Sequence, residues 1–189
     1  MFTPWGMSDS QTTLADGITS ISTPGHGGIH LRPDINELMP DYMRNTPGFY
    51  EEDCEWAQVA VVFPQVFEKK IKGAKNSLRN YQPEMYERFF NTIVMPGESR
   101  CRDEHIHQMQ NHDKYQTLTA WGDWQEGVPE GMVGVFAGRG GRLGNGPYPA
   151  DTAYFLVPEI EYRNRNGTFI VDESRHIRVA DFTKQEAIT

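Results

Sequence analysis

The sequence predicts an α+β protein in which short strands and two amphipathic helices precede a C-terminal antiparallel β meander. Short β-prone segments flanked by turn residues open the chain, and apolar residues then recur at helical spacing. After residue 114, short β-branched or aromatic segments follow one another, separated by Gly, Pro, Asn and Asp, with no helical pattern between them. Strands that are segregated from helices in this way are typical of the α+β class.

Two short strands are expected near the N-terminus, at residues 18–21 and 28–31. Both segments are β-prone, and turn residues flank them. The dipeptide Pro24-Gly25 lies between them and predicts a sharp corner, because these residue types favour turn conformations.

Two amphipathic helices are expected next. Thr46 followed by Pro47 has the pattern of an N-cap and a proline at the first helical position, which predicts a helix that begins there. The apolar stripe of this helix runs as far as Pro64 and resumes beyond it: Trp56, Val59, Ala60, Phe63 and Phe67. Pro83 opens the second helix, whose apolar side is Met85, Tyr86, Phe89 and Phe90.

The rest of the chain is predicted to be a polar connector followed by strands. Residues 96–114 are polar and poor in apolar spacing, as is typical of a connector or a long loop. Strands are expected at 115–121, 132–137, 153–158, 168–172 and 176–180, with a hairpin signal at residues 164–167. A length of 189 residues suits a single domain. The change in residue pattern along the chain also allows a subdivision into an α/β-mixed part, 1–95, and a β-rich part, 115–189.

The composition disfavours several classes of protein. A net charge of −8 argues against direct nucleic-acid binding, which depends on Lys and Arg neutralising phosphates. Cys54 and Cys101 are too few for a disulfide framework and form no metal-type pair, so both are expected as reduced thiols. No stretch has the length of a membrane span, and residues 1–7 lack the pattern of a secretory signal. We therefore expect a cytoplasmic protein without a membrane partner.

The most informative motif is STPGHGGIHL, residues 22–31, which places two imidazoles four residues apart among three glycines and a proline. Glycine permits positive φ and close approach, so the motif predicts a turn that presents a functional group. On an extended strand, His26 and His30 would lie about 13 Å apart, too far to share one metal ion. A shared metal therefore requires a tight turn at Gly27 and Gly28.

Two further interpretations of these histidines are open. In the first, His26 and His30 are catalytic, acting with Glu52 as a carboxylate partner or activating Cys54 as a nucleophile. In the second, both imidazoles make local hydrogen bonds and the glycines only shape a corner.

A cluster of acids follows the motif and suggests a surface that docks a partner protein: Glu51, Glu52, Asp53 and Glu55. The alternative is structural, because acids are favoured in the first turns of a helix, where this cluster is predicted to lie. Crowded acids also raise the pKa of Cys54, which makes it a poor nucleophile. A group of cations with no acid among them follows later in the sequence, so the molecule is dipolar if the two groups occupy different faces: Lys69, Lys70, Lys72, Lys75 and Arg79.

Two further segments could hold ions. His105 and His107 would share one face of a strand, and His112 could complete a tetrahedral zinc site; the alternative is an exposed connector rich in histidine. The loop GRGGRLGNG, residues 138–146, could cradle an anion with Arg139 and Arg142, or it is simply a flexible loop between strands.

Four segments together resemble a domain-of-unknown-function family of proteins carried by phages and other mobile elements: STPGHGGIHL (22–31), YEEDCEWA (50–57), WGDW (121–124) and VPEGMVGV (128–135). The resemblance implies no activity, cofactor or catalytic residue. It implies a context, because small accessory proteins of such elements often bind and disable a host enzyme or defence system.

The resulting functional expectation is an acidic accessory protein of a phage or mobile element, in the host cytoplasm. It would use the acidic cluster to dock on a host protein, for example a nucleic-acid enzyme with a basic channel. The alternative is a small hydrolase or transferase that uses His26 and His30 with Glu52.

Overall fold

The chain divides into two compact units, Met1–Asp103 and Glu104–Thr189, here called the N-terminal and C-terminal units. The computed structural model describes residues 1–142, 144 and 146–183. Both units combine antiparallel sheets with helices, so the predicted α+β class is confirmed.

The N-terminal unit is built around an antiparallel sheet of four strands in sequence order, preceded by a two-stranded ribbon. The ribbon strands are β1 (Phe2–Thr3) and β2 (Gly6–Met7), and the sheet strands are β3 (Ser10–Ala15), β4 (Ile18–Ser22), β5 (Gly27–Leu31) and β6 (Phe49–Glu51). Strands β4 and β5 are the two strands predicted around the Pro24-Gly25 corner, and both predictions are confirmed.

The helices in this part of the chain are α1 (Pro33–Asn36), α2 (Trp56–Val62), α3 (Ile71–Tyr81), α4 (Pro83–Phe90) and α5 (Arg100–Gln110), the last of which crosses the division between the units. Helix α2 packs against β5 and β6, and α3 packs against α2 and α4. The core forms where the apolar stripe of α2 meets the sheet and α3; its fully buried members include Leu31, Tyr50, Val59 and Leu78. Alternation along β5 directs Ile29 and Leu31 into this core and His30 to the opposite face.

The prediction of a helix that begins at Thr46 and Pro47 is wrong. Residues 49–51 form strand β6 instead, paired with β5 in the register Ile29 to Tyr50, and the helix begins only at Trp56. The Thr46-Pro47 peptide bond is cis. A local N-cap pattern contributes little free energy compared with strand pairing and the complete burial of the Tyr50 side chain. The helix predicted to begin at Pro83 is confirmed.

The C-terminal unit contains a second four-stranded antiparallel sheet, in the order β10-β9-β8-β7. Its strands are β7 (Tyr115–Trp121), β8 (Met132–Arg139), β9 (Thr152–Pro158) and β10 (Ile177–Val179), and α6 (Glu159–Arg163) follows β9. Neighbours in this sheet are consecutive in sequence, which confirms the predicted meander. Its core includes Tyr115, Val135 and Phe155.

Two expectations for the second half are wrong. Residues 100–110 of the predicted connector form helix α5, and residues 168–172 contribute only one isolated bridge, from Ile170 to Gln116. Helix α5 has no buried residue and no apolar stripe, so apolar periodicity could not reveal it. Within the described residues, no helix has both the length and the apolar character that crossing a bilayer requires.

Candidate functional site

The turn between β4 and β5 presents His26 to solvent. Thr23 closes this turn twice: its N–H donates to the carbonyl of His26 at 2.7 Å, and its hydroxyl donates to the same oxygen at 2.8 Å. The His26 N–H in turn donates to the Thr23 hydroxyl at 3.1 Å. The backbone of His26 is therefore held firmly, while 58% of its side chain remains exposed.

Strand pairing brings two carboxylates to this imidazole. Glu51 pairs with Gly28 at the end of β6, and the N–H of Glu52 donates to the Gly27 carbonyl at 3.1 Å. The Nδ1 atom of His26 lies 4.0 Å from Oε1 of Glu51. One ligand atom each from His26, Glu51 and Glu52 lies within 4.8 Å of the other two. Among the described residues, no other group of three His, Cys, Asp or Glu side chains converges in this way.

The environment of the two carboxylates differs. Glu51 is partly buried: its Oε2 accepts the N–H of Asp53 at 2.8 Å, while its Oε1 is shielded from solvent and has no hydrogen-bond partner. Glu52 is exposed and approaches the backbone of Gly27 so closely that a Cβ on that glycine would lie 2.6 Å from Oε2. Gly27 therefore gives the Glu52 carboxylate the space it needs beside the turn.

A polar network holds the backbone that carries these carboxylates. Oε2 of Glu55 accepts the N–H of Glu51 at 3.1 Å and the amide group of Asn45 at 2.9 Å. The buried Tyr50 hydroxyl donates to Oδ1 of Asn36 at 2.6 Å and accepts the N–H of Asn45 at 3.1 Å. Glu55, predicted as a docking residue, is thus partly buried and hydrogen-bonded within its own fold.

An open groove of about 530 Å³ begins at Glu52 and continues over the sheet. Its polar lining is Ser20, Ser22, Glu52 and Lys70, and its apolar lining includes Trp56 and Phe67. A ligand in this groove would contact hydroxyl groups, an ammonium group and an aromatic surface next to the His26, Glu51 and Glu52 cluster.

His30 is not part of this cluster. The turn at Gly27 and Gly28 on which a shared metal depended is absent, because both residues lie in strand β5. His26 and His30 are four positions apart on an extended backbone, which places them about 13 Å apart. The His30 ring packs 4.6 Å from that of Phe49, and burial lowers the pKa of this imidazole.

Cys54 follows the cluster but has the wrong electrostatics for a nucleophile. Burial raises the pKa of its thiol, and the neighbouring charges of Glu51 and Asp53 raise it further. The thiol is therefore protonated near neutral pH, as the surrounding acids predict.

The metal site predicted in the second half required His105 and His107 to share one face of a strand, and the structure does not contain that strand. His105 and His107 lie on helix α5, where residues two apart point in different directions, and not on a strand. The Nε2 atom of His107 lies 3.0 Å from the Thr168 carbonyl, and Nδ1 of His112 lies 3.0 Å from the Met109 carbonyl.

The two arginines of the predicted anion cradle already have partners. Arg139 forms ion pairs with Asp151 at 2.8 Å and with Glu173 at 3.2 Å. Arg142 donates from Nε to the Gly146 carbonyl and lies over the Tyr148 ring. Leu143 and Asn145 of the same loop lie outside the described residues.

Sequence reasoning missed a pair in the C-terminal unit that joins a buried histidine to a partly exposed glutamate. Nε2 of His176, whose side chain is 2% exposed, lies 3.2 Å from Oε2 of Glu161, and Nδ1 of the same ring accepts the N–H of Asp172 at 3.0 Å. The hydrogen bond from His176 lowers the pKa of Glu161. A separation of fifteen residues across an irregular segment offers no sequence signal for this pair.

A protein-family model matches the part of the chain that contains the candidate site. The description "Domain of unknown function (DUF7007)" applies to residues 1–112 of the 189. The chain belongs to the DUF7007 family. The DUF7007 match includes His26, Glu51 and Glu52 and ends before β7. Searches of curated proteins and of solved structures found no match. The resemblance to a family of unknown function is confirmed, whereas its association with mobile elements stays a prediction.

Proposed function

We propose that His26, Glu51 and Glu52 bind a divalent transition-metal ion and that the protein is a metal-dependent hydrolase or transferase. The observation that supports this proposal is the convergence of one imidazole and two carboxylates within 4.8 Å, although His26 and Glu51 are 25 positions apart in the sequence. Imidazole and carboxylate ligands suit ions such as Zn²⁺ and Mn²⁺.

The site needs only a small contraction to hold such an ion. Tetrahedral zinc with ligand bonds of about 2.0–2.1 Å places its ligand atoms roughly 3.3 Å apart. The present separations of up to 4.8 Å would have to shrink by about 1.5 Å, which rotation of the exposed His26 and Glu52 side chains supplies. The shielded Oε1 of Glu51, which lacks a hydrogen-bond partner, would gain one in the metal ion.

Three protein ligands leave coordination positions for water and substrate. A metal ion lowers the pKa of bound water and polarises a carbonyl or phosphoryl oxygen, which suits hydrolysis or group transfer. The groove that begins at Glu52 would receive the substrate, with Lys70 facing a negatively charged group and Trp56 facing an apolar part.

The experiment is a Zn²⁺ and Mn²⁺ titration, by calorimetry, of the full chain without a histidine tag. His26→Ala and Glu52→Gln should each weaken the binding of at least one of the two ions by about 10-fold or more, whereas Asp53→Asn, which removes a neighbouring exposed charge, should not. Any hydrolytic or transfer activity should disappear in the first two variants and persist in His30→Ala. Equal metal affinity of the wild type, His26→Ala and Glu52→Gln would refute the proposal.

A second candidate is an acidic accessory protein of a phage or mobile element that docks on a host protein in the cytoplasm. The supporting observation is that Glu52 and Asp53 are exposed side by side in a chain of net charge −8. Asp53→Lys should then abolish capture of the host partner, whereas His26→Ala should weaken metal binding and leave capture unchanged. Partner capture that survives Asp53→Lys would exclude this acidic surface as the docking site.

A further inference from the structure

A cationic row begins just before helix α3 and continues along one side of it. Its members are Lys69, Lys70, Lys72, Lys75 and Arg79, and no acid lies among them in the sequence. Lys72, Lys75 and Arg79 follow the spacing i, i+3, i+7, which places them on the same side of the helix. Seven residues of helix cover about 10 Å along the axis.

No ion pair neutralises this row within the described residues, although most other arginines of the N-terminal unit are paired with carboxylates. The ammonium group of Lys75 lies 5.0 Å from the centre of the Phe90 ring. Among the described residues, Arg79 donates from Nη2 to Oδ1 of Asn76, at 3.2 Å, and forms no ion pair. A guanidinium group carries five N–H donors, so Arg79 keeps donors for an anion in the groove.

Three members of the row, Lys72, Lys75 and Arg79, line a groove of about 620 Å³, together with Gly73, Asn76 and Tyr86. Gly73 is exposed in the interior of a helix, where alanine is the more favourable residue, and a Cβ at this position would meet no atom within 4 Å. The missing side chain leaves the helix backbone open to a ligand between Lys72 and Asn76. Tyr86 contributes an aromatic surface at the same place.

We propose that this groove binds the phosphate backbone of a single-stranded nucleic acid. A single phosphate cannot contact cations spread over about 10 Å of helix, so the complementary ligand is a polyanion with regularly repeated charges. The combination of a cationic groove with an aromatic side chain is the arrangement by which proteins hold single strands without sequence preference. Arg79 offers a planar fork that matches a phosphate group.

The negative net charge does not oppose this proposal. Net charge describes the whole chain, whereas binding depends on the electric field at the groove. The acids that make the chain −8 are absent from residues 69–79. The inference is independent of the metal site, since none of the ligand residues His26, Glu51 and Glu52 lines this groove.

The test is fluorescence anisotropy of a labelled oligothymidylate of about 15 nucleotides, titrated with the full chain at several salt concentrations. If three cations contact phosphates, the plot of log affinity against log salt concentration should have a slope of roughly −2. Replacing Lys72 and Lys75 together by Gln should weaken binding at low salt by about 10-fold or more and bring the slope closer to zero by about 1.4, or 0.7 for each lost contact.

Matched variants separate binding from folding. Lys114→Gln removes an exposed lysine that forms no ion pair with any residue the structure describes and lies outside the row, and it should leave affinity and slope unchanged. Gly73→Glu places an acid in the open groove and should abolish binding, whereas Gly73→Ala should preserve the fold, as measured by circular dichroism. Absence of binding by the wild type at low salt would overturn the proposal. Equal binding of duplex DNA, or equal competition by polyglutamate, would also overturn it, because the groove would then recognise charge alone.

Discussion

The hydroxyl group of Tyr50 is the connection through which the core supports the carboxylates of the candidate site. Tyr50→Phe removes one oxygen and leaves a ring of the same shape in a position that is completely buried. Two groups lose their partner: Oδ1 of Asn36, which is buried, and the N–H of Asn45, which is partly buried. An unsatisfied buried group costs about 1–3 kcal/mol, and water can reach Asn45, so we expect a loss of about 2–4 kcal/mol in the free energy of unfolding.

The assay must report on the N-terminal unit alone. Trp5 and Trp56 lie in that unit, and Trp121 and Trp124 lie in the other, so Trp121→Phe and Trp124→Phe together leave only the first pair fluorescent. Urea unfolding followed by this fluorescence gives the free energy of unfolding of the unit.

The control is Tyr42→Phe, because the Tyr42 ring contacts Arg88 while its hydroxyl has no hydrogen bond among the described residues. This control should change stability by less than about 0.5 kcal/mol. If Tyr50→Phe is equally mild, the network does not stabilise the unit and the reasoning is refuted. Because Tyr50 precedes Glu51, the same variant should also weaken binding of the metal ion through loss of positioning.

Three further predictions concern stability. Arg102 holds the pKa of Glu87 at about 2, below its usual 4.5, so this carboxylate stabilises the N-terminal unit fully above about pH 5 and loses that effect as the pH falls toward 2. Glu87→Gln should therefore make the free energy of unfolding, measured by urea titration, less dependent on pH between 5 and 2. An unchanged pH dependence would contradict the assignment. Gly28→Ala should lower stability by about 1–3 kcal/mol, because the new Cβ would collide with the backbone carbonyl of Tyr50 and with the ring of Trp5. A neutral effect in the same assay would show that strand β6 and the ring both shift without cost. His176→Ala should lower the melting temperature of the C-terminal unit, because it leaves the Asp172 N–H without its acceptor; an unchanged melting curve would show that this pair is dispensable.

The candidate site shows which of its features local sequence patterns predict and which they do not. Local patterns singled out His26 and the acids 51–55, because glycines and clustered charges are visible without any knowledge of the fold. Their convergence depends on the pairing of β5 with β6, which the N-cap pattern at Thr46 concealed. The same pattern placed Glu55 on an exposed helical surface, whereas long-range hydrogen bonds turn it toward Asn45.

The sequence by itself determined the α+β class, the two strands around Pro24-Gly25 and the C-terminal meander, because these features depend on periodicity and turn residues that act over a few positions. Only the tertiary structure decided that residues 49–51 are a strand, that the polar segment 100–110 is a helix, and that His26 lies beside Glu51 and Glu52. These outcomes depend on hydrogen bonds and burial between segments that are far apart in the chain, and no local pattern encodes such partners.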